Sequence, residues 1–322
     1  MGAGRRARHL GVAGAVLVVA LAVSACLPPP PPPKPPVLAA ACAHTLVASI
    51  PGAIASSSLS ETSGIAASRR VDGVWWVHND SGDSARVFAI GNDGRDLGEY
   101  ALSGATAVDW EDIAAGPGPS AGVAYLYLAD IGDNAQTRTS VQVYRVAEPL
   151  VDPSVAPGPP QTLGGVATLT FTYPDGPHDA EGFLVDPSTG QLFVVSKDLG
   201  GGVARVYRAP ANLAAGSTTA LTQVATVSLG MWQGVTGADI TPNGDVLALR
   251  TYLSVFLFPR TAGQSVGQAF GQSSCAGAAP AFGSATSASE PQGEAIGFTR
   301  NGRGYVTVSE GAHPALHQFV AP

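Results

Sequence analysis

The chain has 322 residues, 45% of them apolar and 13% charged, with 40 glycines and 26 prolines. Its formal net charge is −7, from 17 basic and 24 acidic side chains, which argues against nucleic acid or an anionic membrane surface as the main partner. Three cysteines and no CxxC or HExxH pattern leave a structural zinc site without support.

In chain order, Arg5, Arg6 and Arg8 precede the apolar segment Leu10–Val23 and the run "LAVSAC". A basic start, a short apolar core and small residues before a break form a secretory signal, too short for a comfortable membrane span. Val23-Ser24-Ala25-Cys26 resembles a bacterial lipobox. That resemblance implies removal of residues 1–25 and lipidation of Cys26, with the protein extracytoplasmic and held to a bacterial cell membrane through the anchor. An ordinary cleaved signal with an incidental cysteine is the alternative. The run "LPPPPPPKPP" follows, and residues 26–37 are expected to form a stiff polyproline spacer.

Removing residues 1–25 takes away three arginines and no acid, leaving 14 basic against 24 acidic side chains, a net of −10. Of the two cysteines that remain, Cys42 and Cys275 are expected to pair as a disulfide in an oxidising compartment, against the alternative of two buried thiols.

From residue 38 to 322, short runs rich in Val, Leu, Tyr and Phe alternate with turn residues, and no stretch shows convincing helical periodicity. Five segments share one layout: "SGIAAS" then "VWWVHND"; "EDIAAG" then "AYLYLAD"; "EGFLVDPSTG" then "QLFVVSKD"; "TGADITPNG" then "DVLALRTY"; "EAIGFTRNG" then "RGYVTVSE". A third strand follows each, and "ATLTFTY" and "QVATVSL" supply a fourth. The last unit has only three, while an unpaired strand, "HTLVASI", precedes the first. The pattern predicts an all-β fold, a five-bladed β-propeller closed by its N-terminal strand. The first positions, Ser63, Glu111, Glu181, Thr236 and Glu294, are spaced by 48, 70, 55 and 58 residues. The 70-residue step contains "DPSVAPGPPQ", where a sixth, degenerate blade is the alternative to the simpler count of five.

In a propeller the first strand of each blade lines the central channel, so equivalent positions form a ring. Ser63, Glu111, Glu181, Thr236 and Glu294 then converge on the axis, where three carboxylates need protons or a cation to relieve their repulsion. A hard cation taking about six to eight oxygen ligands is Ca²⁺, and these five residues are its expected ligands. Caps for backbone amides are the bland alternative. Within "AVDWEDIAAG", Glu111 is the ring member, Asp112 is expected to alternate away from the axis and Asp109 to shape the turn. The order Ser, Glu, Glu, Thr, Glu, one per blade, resembles the hub of the calcium-dependent apyrases, and "DAEGFLVDPSTGQLFVVSKD" resembles the bacterial esterase-like phytase-domain propellers. The resemblance implies a calcium-centred five-bladed propeller; only the five hub positions carry over.

Second strands end on the same rim in His78-Asn79-Asp80, Ala129-Asp130, Ser196-Lys197-Asp198, Arg250-Thr251 and Ser309-Glu310, and loops add Asp83, Asp133, Asn134, His178 and Asp179. Asp80 or Asp130 as general base, with Lys197 and Arg250 beside an ion, would suit a metal-dependent hydrolase of phosphoesters or esters. "NDSGD" and "DIGDN" are equally what tight turns look like, and no GxSxG elbow supports a serine hydrolase. Trp75, Trp76, Trp110 and Trp232 are residues that either stack on a ligand or fill space between blades. The competing reading is a non-catalytic envelope protein whose face holds a small molecule, a glycan or a partner while calcium locks the blades.

Overall fold

The computed structural model describes residues 1–2, 34–282 and 289–322. The signal segment, Cys26 and most of the proline run lie outside the described residues. Lys34–Pro322 form one compact unit. No helix among the described residues is long and apolar enough to cross a membrane.

This unit is a five-bladed β-propeller. Blade 1 is built from Thr62–Ala67, Val74–Asn79, Arg86–Gly91 and Asp96–Leu102, in that order outward from the axis. Blade 2 comprises Trp110–Pro117, Ala124–Asp130, Val141–Ala147 and Ala167–Thr172. Blade 3 is Ala180–Val185, Leu192–Ser196, Val203–Arg208 and Thr222–Ser228; blade 4 is Val235–Ile240, Val246–Thr251, Val255–Pro259 and Cys275–Gly277. Blade 5 takes Gly293–Phe298, Gly304–Ser309 and Ala315–Val320, and its outer strand is Val47–Ala53, paired antiparallel with Ala315–Val320. Each innermost strand packs on the next, and that of blade 5 on that of blade 1, so the ring closes.

The repeat has a local cause. Between the first and second strands of each blade the chain reverses through Gly73, Gly122, Gly190, Gly244 or Gly302, all with φ between 67° and 77°. Only glycine takes up that left-handed turn without strain. Alternating Val, Ile, Leu and aromatic side chains then fill five apolar clusters, one between each pair of neighbouring blades. Trp76 and Trp110 are buried in the cluster between blades 1 and 2, and Trp75 in that between blades 5 and 1. Trp232 stands apart, 59% exposed.

No sixth sheet grows from the long step between blades 2 and 3. Its residues Gln161–Leu163 add a parallel strand to the outer edge of blade 1, and Thr218–Ala220, between the third and fourth strands of blade 3, do the same for blade 2. Each strap covers an edge that would otherwise offer unpaired backbone groups.

Among the described residues, two short helices interrupt the strands. Pro36–Cys42 begins inside the expected proline spacer, with Pro at its first turn, where the missing N–H costs nothing. Its Val37 and Leu38 are fully buried against blade 4, so the folded unit begins ahead of residue 38. Cys42 at its end is joined to Cys275, in the outer strand of blade 4, by a disulfide. Val266–Phe270 carries a Ser265–Gln268 capping box and packs into the cluster shared by blades 3 and 4.

Candidate functional site

Each innermost strand breaks register with its second strand once, at one equivalent place. The ladders skip a residue between Thr62 and Gly64, Trp110 and Asp112, Ala180 and Gly182, Val235 and Gly237, and Gly293 and Ala295. The skipped residues are Ser63, Glu111, Glu181, Thr236 and Glu294. A bulge leaves one residue out of the pairing and re-aims its side chain. All five are buried.

Their polar atoms have different engagements. Ser63 Oγ donates to the Glu111 carbonyl at 2.8 Å, and Thr236 Oγ1 to the carbonyls of Gly293 and Glu294 at 2.9 and 3.1 Å. These hydroxyls stitch neighbouring innermost strands together. Glu294 accepts from Gln292 Nε2 at 2.8 Å. Glu111 and Glu181 instead meet other acids. Carboxylate oxygens of Asp80, Asp109 and Glu111 lie within 4.8 Å of one another, and so do those of Glu111, Asp179 and Glu181.

Lys197 ion-pairs with Glu181 Oε1 and donates to the Tyr252 hydroxyl at 2.8 Å. Glu181 Oε2 is buried with no hydrogen-bond partner. Burial raises the Glu181 pKa to about 8 despite the nearby lysine. Burial, then the charges of Glu181, Asp80 and Asp109, push Glu111 well above the usual carboxylate range. Glu294 is raised the same way by burial and Glu181, and Asp109 to about 6 by burial, Asp80 and Asp179. Burial also raises Asp80. Although burial works against the Lys197 charge, Glu181 and Tyr252 hold its pKa above the ordinary value. Five crowded carboxylates with one ammonium are a set of hard oxygen donors short of positive charge.

Three residues depart from expectation. Asp112 points into the channel: Oδ2 accepts from the amides of Phe183 and Ala238 at 2.8 and 3.1 Å, and Oδ1 from its neighbour Ile113 at 2.8 Å. The bulge at Glu111 offsets the alternation that would have turned Asp112 away. Asp130 is fully buried, paired with Arg138 at 2.8 Å, and accepts from the amides of Val108 and Asp109. A carboxylate so engaged does not suit proton abstraction from water; it holds the Asp109 backbone instead. Arg250, fully buried, pairs with Glu290, which also accepts from Thr307 at 2.8 Å. That group lies between blades 4 and 5, outside the acidic cluster.

Asp80, Glu111, Glu181 and Lys197 are therefore brought together, while Asp130 and Arg250 are not part of the group. Asp109 and Asp179 are the ligand-grade acids that a one-position ring overlooks. Their signal is an Asp two residues before the bulge glutamate in both "DWE" and "DAE".

The fold thus defines a five-bladed β-propeller with an acidic channel mouth. Comparison of the sequence with protein-family models and with curated proteins finds no match to either.

Proposed function

We propose that the protein binds a hard divalent cation of the calcium class at the channel mouth, through Asp80, Asp109, Glu111, Asp179 and Glu181, and uses it to act on a phosphoester or ester. The observation that carries the reading is the buried, donorless Oε2 of Glu181 within a cluster of acids. Such an oxygen needs a proton or a cation, and the donor set is that of calcium. When bound, the ion would polarise a phosphoryl or carbonyl oxygen of the ligand. Asp80, half-buried at the rim, serves in this set as a ligand of the ion rather than as a free general base. Lys197 balances Glu181 and fixes its orientation.

The test is calcium titration of the full chain by calorimetry, beside a hydrolysis panel of nucleotides, phytate, phosphodiesters and lactones with and without chelator. Saturable binding lost in Glu181→Gln, with chelator-sensitive turnover of one panel member, is the expected result. Absence of calcium binding ends the proposal. Binding without turnover would favour the second reading, a non-catalytic envelope propeller stiffened by calcium. The engagement of Asp130 with Arg138 and of Arg250 with Glu290 speaks for that alternative. On either reading the lipobox-like Cys26 would tether the domain outside a bacterial cell membrane, and Cys26→Ser should release it into the medium.

A further inference from the structure

We infer that the mouth holds a pair of divalent cations bridged by Glu111, a step that rests on the cation-binding reading above. The two groups of carboxylates share one member only: Asp80, Asp109 and Glu111 on one side, Asp179 and Glu181 with the same Glu111 on the other. Oxygens on opposite sides of a calcium ion are about 4.6–5.2 Å apart, from metal–oxygen distances of about 2.3–2.6 Å. Each group, spanning no more than 4.8 Å, is the size of one coordination shell, and the two shells join at a residue that has two oxygens to give.

Three features outside the carboxylate spacing agree. Lys197 and an amide hold one oxygen of each second-group acid: Lys197 takes Glu181 Oε1, and the Asp133 amide takes Asp179 Oδ1 at 2.9 Å. Glu181, a member of the second group, keeps its other oxygen, Oε2, buried and unpartnered. Gly132 stands against Glu111 Oε1 and Asp109 Oδ2 so closely that any β-carbon would overlap them, so its lack of a side chain keeps the first group open.

Paired ions a few ångströms apart match an anion whose oxygens can touch both, so the centre favours a phosphoester over a neutral carboxylic ester. Calcium titration of the chelator-treated full chain should then give two ions per chain. Mn²⁺ substituted for Ca²⁺ should give an exchange-coupled magnetic-resonance spectrum in place of the six lines of an isolated ion. Asp80→Asn and Asp179→Asn should each keep one ion and lose the coupling; Glu111→Gln should lose the coupling and weaken both ions at least tenfold. One ion in the native chain overturns the pair and leaves the cation reading standing, whereas none overturns both. Two ions retained with native affinity and coupling in the Asp80 and Asp179 variants overturn this placement of the pair, and these milder substitutions serve if Glu111→Gln does not fold.

Discussion

The carboxylate of Asp112 lies 3.1 Å from the amide nitrogen of Ala238, on the innermost strand two blades further round the ring. The same oxygen accepts from Phe183 on the intervening blade, so one side chain satisfies amides of blades 3 and 4 from blade 2. Asp239 repeats the device lower in the channel, accepting from the Phe298 amide of blade 5 at 2.6 Å. Innermost strands have no further strand to pair with, and these two carboxylates stand in for one. Asp112→Ala leaves three buried amides without an acceptor and should cost about 2–4 kcal/mol of unfolding free energy, since each orphaned group costs about 1–3 kcal/mol with partial relief from water. Chemical denaturation measures it, and a change below about 0.5 kcal/mol, the size of a neutral surface substitution, would remove the strut role.

The Asp112 strut also marks where sequence reading stops. The five blades are legible because Gly turns and apolar alternation repeat with them, and the five bulge positions because each opens the first apolar run of its unit. Closure by Val47–Ala53 is legible as a strand left without a partner at one end of the repeat. Asp112 is not legible: strand alternation assigns it to the far face, and only the bulge at Glu111 restores it to the channel. Asp109 reads only as a turn residue and Asp179 only as one of several rim acids, since Asp in a loop is also ordinary turn chemistry. What separates these two acids from a turn is their approach to Glu111, a contact between residues of separate blades for Asp179. The helix Pro36–Cys42 is masked by the proline run that precedes it. Arg250 looks like a ligand-binding cation at the end of its strand, and only its buried contact with Glu290 identifies it as a core ion pair.

Asp130 should act as a positioning residue for the cation site. It accepts from the Asp109 amide and pairs with Arg138, which also donates to the Gly132 carbonyl at 2.7 Å. Asp130→Asn weakens the hold on that loop without touching the acids themselves. Calcium affinity should fall about 10–100-fold, the usual cost of removing a residue that orients a ligand. Unchanged calcium affinity with lost turnover would instead return Asp130 to the role of a base.

The bulge glutamates set a pH dependence that calcium should abolish. Glu181, with a pKa of about 8 in the fold and an ordinary value of 4.5, binds its proton more tightly folded than unfolded. Its contribution is present in full below pH 4.5 and is lost as the pH rises to about 8, at up to about 1.4 kcal/mol per pH unit. In chelator, then, the native chain should lose stability over that range relative to Glu181→Gln. Saturating calcium displaces the proton and should flatten the difference. Parallel native and variant curves in chelator would show that Glu181 is not strained by its surroundings.

His78 should impose the opposite slope at lower pH. Its ring is fully buried, Nδ1 lies 2.7 Å from the Asn79 carbonyl, and Nε2 has no partner. Hydrogen bonding to that carbonyl places the proton of the neutral ring on Nδ1, so a second proton would have to enter at Nε2, which is buried against Gly64 with no acceptor. Burial accordingly lowers its pKa from 6.5 to about 4, outweighing the Asn79 carbonyl and the Asp83 charge that favour protonation. The unfolded chain takes up a proton near pH 6.5 that the fold refuses until about pH 4. Stability from this group is therefore complete above pH 6.5 and falls with acidification by about 1.4 kcal/mol per pH unit, about 3 kcal/mol in all. Denaturant titrations of the native chain and of His78→Gln, run in chelator from pH 7 to pH 4, give the difference directly. The variant, lower in stability at pH 7, should close on the native chain as the pH falls, and a constant gap across the range would mean that the fold takes up the His78 proton as readily as the unfolded chain does.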